Sequence, residues 1–134
     1  MKSLRNILVV GGLMIALLSF TTLHQDKWEV PAKYESMENP TDADDDENIE
    51  IGEELYMQHC KSCHGKEGLG DGPKAANQKG NLGDFSSEEF QAQSDGALYY
   101  KTTIGRGDMP AYEKKVPSEE DRWLIVNYMR ILGE

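Results

Sequence analysis

"HCKSCHGKEGLGDGP", His59 to Pro73, contains both cysteines of the chain, and the reading of everything else depends on it. Cys60 and Cys63 stand three residues apart, and His64 follows directly. A disulfide is a poor use of such a pair, because closing a two-residue loop removes little chain entropy. A structural zinc site needs four ligands, and beyond this triplet only His24, His59 and carboxylates could supply them. A thioredoxin-like redox pair belongs in a βαβ setting, and no alternating strand pattern of any length is present.

The remaining reading is covalent haem attachment, for which C-x-x-C-H is the signature. Two intervening residues place both sulfurs along one edge of a porphyrin, where each thiol can add to a vinyl group. The residue after Cys63 then lies under the macrocycle, where an imidazole nitrogen can reach the iron. Cys60 and Cys63 are therefore the expected thioether residues of one haem c, and His64 the proximal iron ligand.

Working outward, Met1 to Leu23 reads as a targeting segment. Lys2 and Arg5 precede an apolar run from Ile7 to Leu18, and Asn6 to Leu23 is free of charge. The apolar length suits a secretory signal better than a full membrane span. No A-x-A cleavage site follows, so an uncleaved N-terminal anchor is the alternative. In either case residues 24–134 are expected outside the cytoplasm, in a periplasm or on the outer face of the cytoplasmic membrane. Membrane contact is expected only if the leader is kept. No cysteine lies near the leader, which excludes a lipid anchored on Cys.

The chain of 134 residues carries a formal charge of −10. That balance argues against nucleic acid as a partner, since phosphate binding needs a basic footprint. Asp26 to Glu54 holds twelve acids and two lysines, whereas Leu55 to Glu134 holds twelve acids and ten bases. The acidity belongs to an arm, residues 24–47, and to the first turns of the domain that follows, residues 48–134; from Leu55 onward the chain is nearly neutral. Within the arm, "KWEVPAKYESMENP" (27–40) has Trp28, Val30 and Tyr34 among turn residues. It is expected to strap onto the domain or to contact a partner subunit. "TDADDDE" (41–47) reads as a hydrophilic connector and lacks the D-x-D-x-D-G frame of a calcium loop.

Helical periodicity supplies the scaffold. Ile51, Leu55 and Tyr56 predict a helix from Asn48 or Glu50 to His59. Ser86 to Phe90 predicts a capped turn, and Ser94 a cap for a helix over 95–104 that Gly105 ends. Ser118-Glu119-Glu120-Asp121 approximates a capping box opening the last helix. Leu124, Ile125, Tyr128, Ile131 and Leu132 form its apolar stripe, with Trp123 at the flank. The glycine-rich segment 65–83 is expected to be floppy unless it wraps a cofactor.

From Ile49 to Leu132 the chain resembles the class I cytochromes c of the short bacterial type. The resemblance rests on C-x-x-C-H, on Gly52 and Tyr56 eight and four residues before Cys60, on "GRGDMP" (105–110) and on "RWLIVNYMRIL" (122–132), in the family's order. It implies an all-α cytochrome c-like fold, three to four short helices around one covalently attached haem, the first and last crossing at Gly52. It implies that Met109, on a loop made pliable by Gly105 and Gly107, is the distal iron ligand. A thioether opposite imidazole raises the reduction potential. It also implies that the carbonyl of Pro73 accepts the hydrogen bond of the proximal histidine. In one respect the chain departs from the pattern: relatives with "GDGP" often carry a proline before "DF", where Asn81-Leu82-Gly83 precedes Asp84-Phe85 here. The implied function is one-electron transfer to redox partner proteins by transient docking, without an enzyme's substrate. Two alternatives are a fixed haem subunit of a respiratory or dehydrogenase complex, and a sensor or peroxidase with an open iron site.

Overall fold

The computed structural model describes residues 27–134; the targeting segment and His24 lie outside the described residues. α1 (Ala32–Glu35) is one turn within the arm. α2 (Asp46–His59) begins ahead of both starts its apolar pattern predicts, Asn48 and Glu50, because the Asp45 side chain accepts from the backbone N–H groups of Glu47 and Asn48. Asp46 and Glu47 in its first turn face the positive end of the helix dipole. The expected boundary between arm and domain, at residue 47, therefore falls inside this first turn. α3 (Lys61–His64), α4 (Glu88–Gln91), α5 (Asp95–Ile104) and α6 (Glu119–Ile131) complete the set, with a 3-10 turn at Ala75–Asn77. Ser87, Ser94 and Ser118 cap α4, α5 and α6 through their hydroxyls, onto Phe90, Ala97 and Asp121. Among the described residues the only extended pairing is a single bridge between Arg106 and Met109.

The main contact is α2 against α6. A Cβ on Gly52 would lie 2.2 Å from the carbonyl oxygen of Leu124 and 3.3 Å from the Cβ of Tyr128. The helices can cross there only because position 52 has no side chain. Gly52→Ala is expected to destabilise the folded protein by about 1–3 kcal/mol through overpacking, despite alanine's better helix propensity. Thermal unfolding followed by circular dichroism measures this.

α6 is buried on more than the stripe its sequence predicts. Arg122 through Met129 are all buried, because two apolar clusters cover it from different sides. Ile125, Tyr128 and Met129 join Tyr56, Cys60 and Phe85. Trp123 and Val126 join Leu98 and Tyr99 of α5, and Tyr34 and Met37 of the arm lie against them. Tyr99 stacks on Trp123 with ring centroids 4.0 Å apart, and its hydroxyl accepts from Arg122 at 2.9 Å. Its role is thus internal support of α6.

The arm lies along α5 and α6 as a strap. Gly96 in α5 lets it approach, since a Cβ there would sit 1.8 Å from the Tyr34 carbonyl oxygen. Tyr34 packs on Tyr100 at 4.6 Å, and Ser94 donates to Glu35 at 2.9 Å. Asn127, 1% exposed, accepts from Asn39 at 2.6 Å and donates to Thr41 at 3.0 Å. A buried amide deprived of a partner costs about 1–3 kcal/mol. Asn39→Ala is expected to lower stability by that order, read as a shift of the urea unfolding midpoint without a change in slope.

Candidate haem site

Cys60 is the N-cap of α3, with Cys63 and His64 on the same single turn. Tyr56, at the end of α2, donates its hydroxyl to the Gly65 carbonyl at 2.8 Å and ties the turn to the helix before it. The glycine-rich segment that follows is held by backbone bonds to this turn. Gly70 N–H donates to His64 O, Gly72 N–H to Cys63 O, and Lys74 N–H to Ser62 O, at 2.8 to 3.1 Å. Gly72 lies so close that a Cβ would be 2.5–2.7 Å from the carbonyl oxygens of Lys61, Ser62 and Cys63. The segment, expected to be floppy unless it wraps a cofactor, is anchored by its own backbone to the turn on which the cysteines sit.

Both thiols are free. Cys60 is 5% exposed, and burial, helped by Cys63, pushes its thiol up to about 12. A redox-active dithiol needs a thiolate favoured by its surroundings, and Cys60 has the reverse. It is a neutral thiol facing an apolar cluster.

His64 packs against Phe85 at 4.8 Å, and its Nδ1 lies 3.1 Å from the carbonyl oxygen of Leu82. A carbonyl can only accept, so Nδ1 carries the proton and Nε2 keeps its lone pair. Burial lowers the imidazole's proton affinity more than this bond raises it. The ring is a neutral, oriented donor at Nε2, the state a metal-bound histidine needs. The expected acceptor, Pro73, is corrected here to Leu82. Gly72 and Lys74 are committed to the cysteine turn and Pro73 is exposed between them, while the returning chain meets the imidazole at Leu82 and Phe85. Leu82 lies within the triplet where the sequence departs from the family pattern, which was the one available hint.

Met109 is held in a tight turn after α5. Arg106 N–H donates to Met109 O at 2.9 Å, and Met109 N–H to Arg106 O at 3.0 Å. Gly105 opens the turn with φ of 66°, and a Cβ there would fall 2.5 Å from the Met109 carbonyl oxygen. Asp108 accepts from the Lys79 N–H at 2.9 Å, and the Tyr112 hydroxyl donates to His59 O at 2.8 Å. Burial, with Cys60 and Cys63 nearby, pushes Tyr112 up to about 12, so it stays a neutral donor. No signal in the sequence singled out Tyr112. Met109 and Cys60 belong to one apolar cluster that also contains Phe85 and Tyr112. A cleft of about 360 Å³ is bordered by Cys63 and His59 on one side and by Asp108, Pro110 and Tyr112 on the other.

The donor set fits a haem: two unpaired thiols on one turn, an imidazole whose Nε2 has no hydrogen-bond partner among the described residues, and a thioether on a separate loop against the same apolar cluster. Helices crossing at a glycine around a C-x-x-C-H turn define a monohaem c-type cytochrome, whose cofactor is one covalently bound haem c. The family model described as cytochrome c oxidase, cbb3-type, subunit III matches residues 47–129, and the chain belongs to that family. No curated protein matches it. Among solved structures it is similar to a chain of the Kuenenia stuttgartiensis reducing HAO-like protein complex Kustc0457/Kustc0458, at 29% identity and a TM-score of 0.60 over 70% of this chain. The match spans 50% of that chain's own length. It is also similar to the KustC0563 c-type cytochrome, at 27% identity and a TM-score of 0.53, over 62% of this chain and 98% of that one.

Proposed function

We propose that this protein moves single electrons through a haem c attached at Cys60 and Cys63, with His64 and Met109 as its axial ligands. One observation carries the reading: the cysteine turn and the Met109 turn meet at a common apolar cluster, while Leu82 fixes the imidazole with Nε2 free. The haem supplies a one-electron couple at its iron, whose potential rises when a thioether faces an imidazole. The protein does the rest. Leu82 O holds the His64 tautomer, and the Arg106–Met109 turn presents the sulfur. Phe85 and Tyr112 keep water from the buried side. Membership of a family of c-type cytochrome domains supports a carrier over an enzyme in this reading.

Export follows from the charged, then apolar, leader. Among the described residues no helix is long and apolar enough to cross a membrane. Residues 48–134 are the haem domain in this reading, and residues 24–47 its strap. The partners are redox proteins met by transient docking. A fixed subunit of a larger complex is the second reading, favoured by the likeness to a chain from an HAO-like complex. Fractionation separates the two. A protein released by washing membranes, and eluting at its own size, is a carrier. Retention in a large complex assigns it as a subunit. The haem assignment is tested by haem staining on a denaturing gel, together with the weak far-red sulfur-to-iron band of the ferric protein. Stain without that band would leave the haem and remove Met109, giving the open-iron alternative.

A further inference from the structure

The family match begins at residue 47, so the strap lies ahead of everything that match describes. Its first described aromatic, Trp28, meets two cations of the domain. The guanidinium of Arg106 lies over its ring at 4.5 Å from the centroid, and the Lys101 ammonium at 5.8 Å. Lys101 is in the last turn of α5 and accepts, through its carbonyl, the Gly105 N–H that ends the helix. Arg106 is the first residue of the two-bond turn that closes on Met109. Trp28 thus bears on both residues from which the Met109 loop is hung.

We propose that Trp28 is a positioning residue for the distal ligand: docked by the strap, it holds Arg106 and thereby the turn that keeps Met109 in place. The proposal rests on Met109 being an axial ligand. The chain of contacts is continuous. Gly96 seats the strap through Tyr34 and Met37, the strap presents Trp28, Trp28 faces Arg106, and Arg106 exchanges both backbone bonds with Met109. Freed of Trp28, the turn keeps its own two bonds and the Lys79–Asp108 bond but loses the ring contact on Arg106, so an exogenous ligand displaces the thioether more easily.

The test is titration of the ferric holoprotein with imidazole, following loss of the far-red sulfur-to-iron band well below the melting temperature. Trp28→Ala is expected to lower the half-displacing concentration about two- to fivefold, the factor an exposed cation–π contact corresponds to. Trp28→Phe, which keeps a ring face, should recover part of it. Gly96→Ala unseats the strap by a different route, through a clash with Tyr34 O, and should shift the titration in the same direction. In an Arg106→Gln background, Trp28→Ala should add nothing further. A wild-type band with unchanged midpoints in Trp28→Ala and Gly96→Ala overturns the proposal and leaves Met109 ligation standing. Additive shifts of Trp28→Ala and Arg106→Gln overturn the route through Arg106. Absence of the band in the wild type removes the axial assignment, and the proposal with it.

Discussion

Met109→Ala is expected to yield a protein that keeps its haem, loses the far-red sulfur-to-iron band, and has a reduction potential lower by at least roughly 0.1 V, a fraction of the about 0.8 V that axial ligands span. In the proposed ligation the thioether is a soft, neutral donor that favours the ferrous state, and its removal would leave imidazole as the one protein ligand. The Arg106–Met109 turn is closed by backbone bonds, so it should survive the substitution while its side chain is lost. The opened iron should then bind CO in the ferrous protein and cyanide in the ferric protein. Spectroelectrochemistry measures the potential. An unchanged value would transfer the distal role elsewhere, with Met57 and Met129, both packed in the same cluster or against it, the next to test.

The second large effect is expected from loss of the haem itself. A macrocycle presents at least the apolar area of two large aromatic side chains, roughly 300 Å², so its burial contributes about 7 kcal/mol. That is comparable with the about 5–15 kcal/mol that separates a folded domain from its unfolded chain. The double variant Cys60→Ala/Cys63→Ala should therefore show no haem stain after denaturation. Once stripped of non-covalent haem it should lose most of its helical circular dichroism at a temperature where the wild type is folded. The single variants should differ in degree. Cys60 is built into the apolar cluster, whereas Cys63 borders the cleft and is half-buried. Cys60→Ala should thus cost more stability than Cys63→Ala, with one thioether remaining in each. A stripped double variant with intact helices and a wild-type melting temperature would show that the polypeptide does not need the haem to fold.

How much of this the sequence disclosed depends on how local each cause is. Caps are local: Ser87, Ser94 and Ser118 each bind an N–H three residues on, and all three helix starts were legible. The α2–α6 crossing at Gly52 was legible through the family resemblance alone, because one glycine in a helix says nothing about what approaches it. Leu82 was not legible as the histidine's acceptor. A carbonyl has no residue-type signature, and the 18-residue separation from His64 is set by how Gly72 and Lys74 bind the cysteine turn. Val126 and Asn127 fell outside the predicted stripe for a related reason. Their burial is imposed by α5 and by the strap, which approach from far along the chain.

The dependence of Asn127 and Trp123 on residues 27–45 has a practical corollary for anyone trimming this protein. The stretch recognisable by kinship starts near residue 47, yet cohesion starts some twenty positions earlier. A version begun at residue 47 would leave the Asn127 amide and the flank of Trp123 facing solvent. Such a truncation should be stickier and less thermally robust than the longer chain, and grafts onto other proteins should carry the strap along.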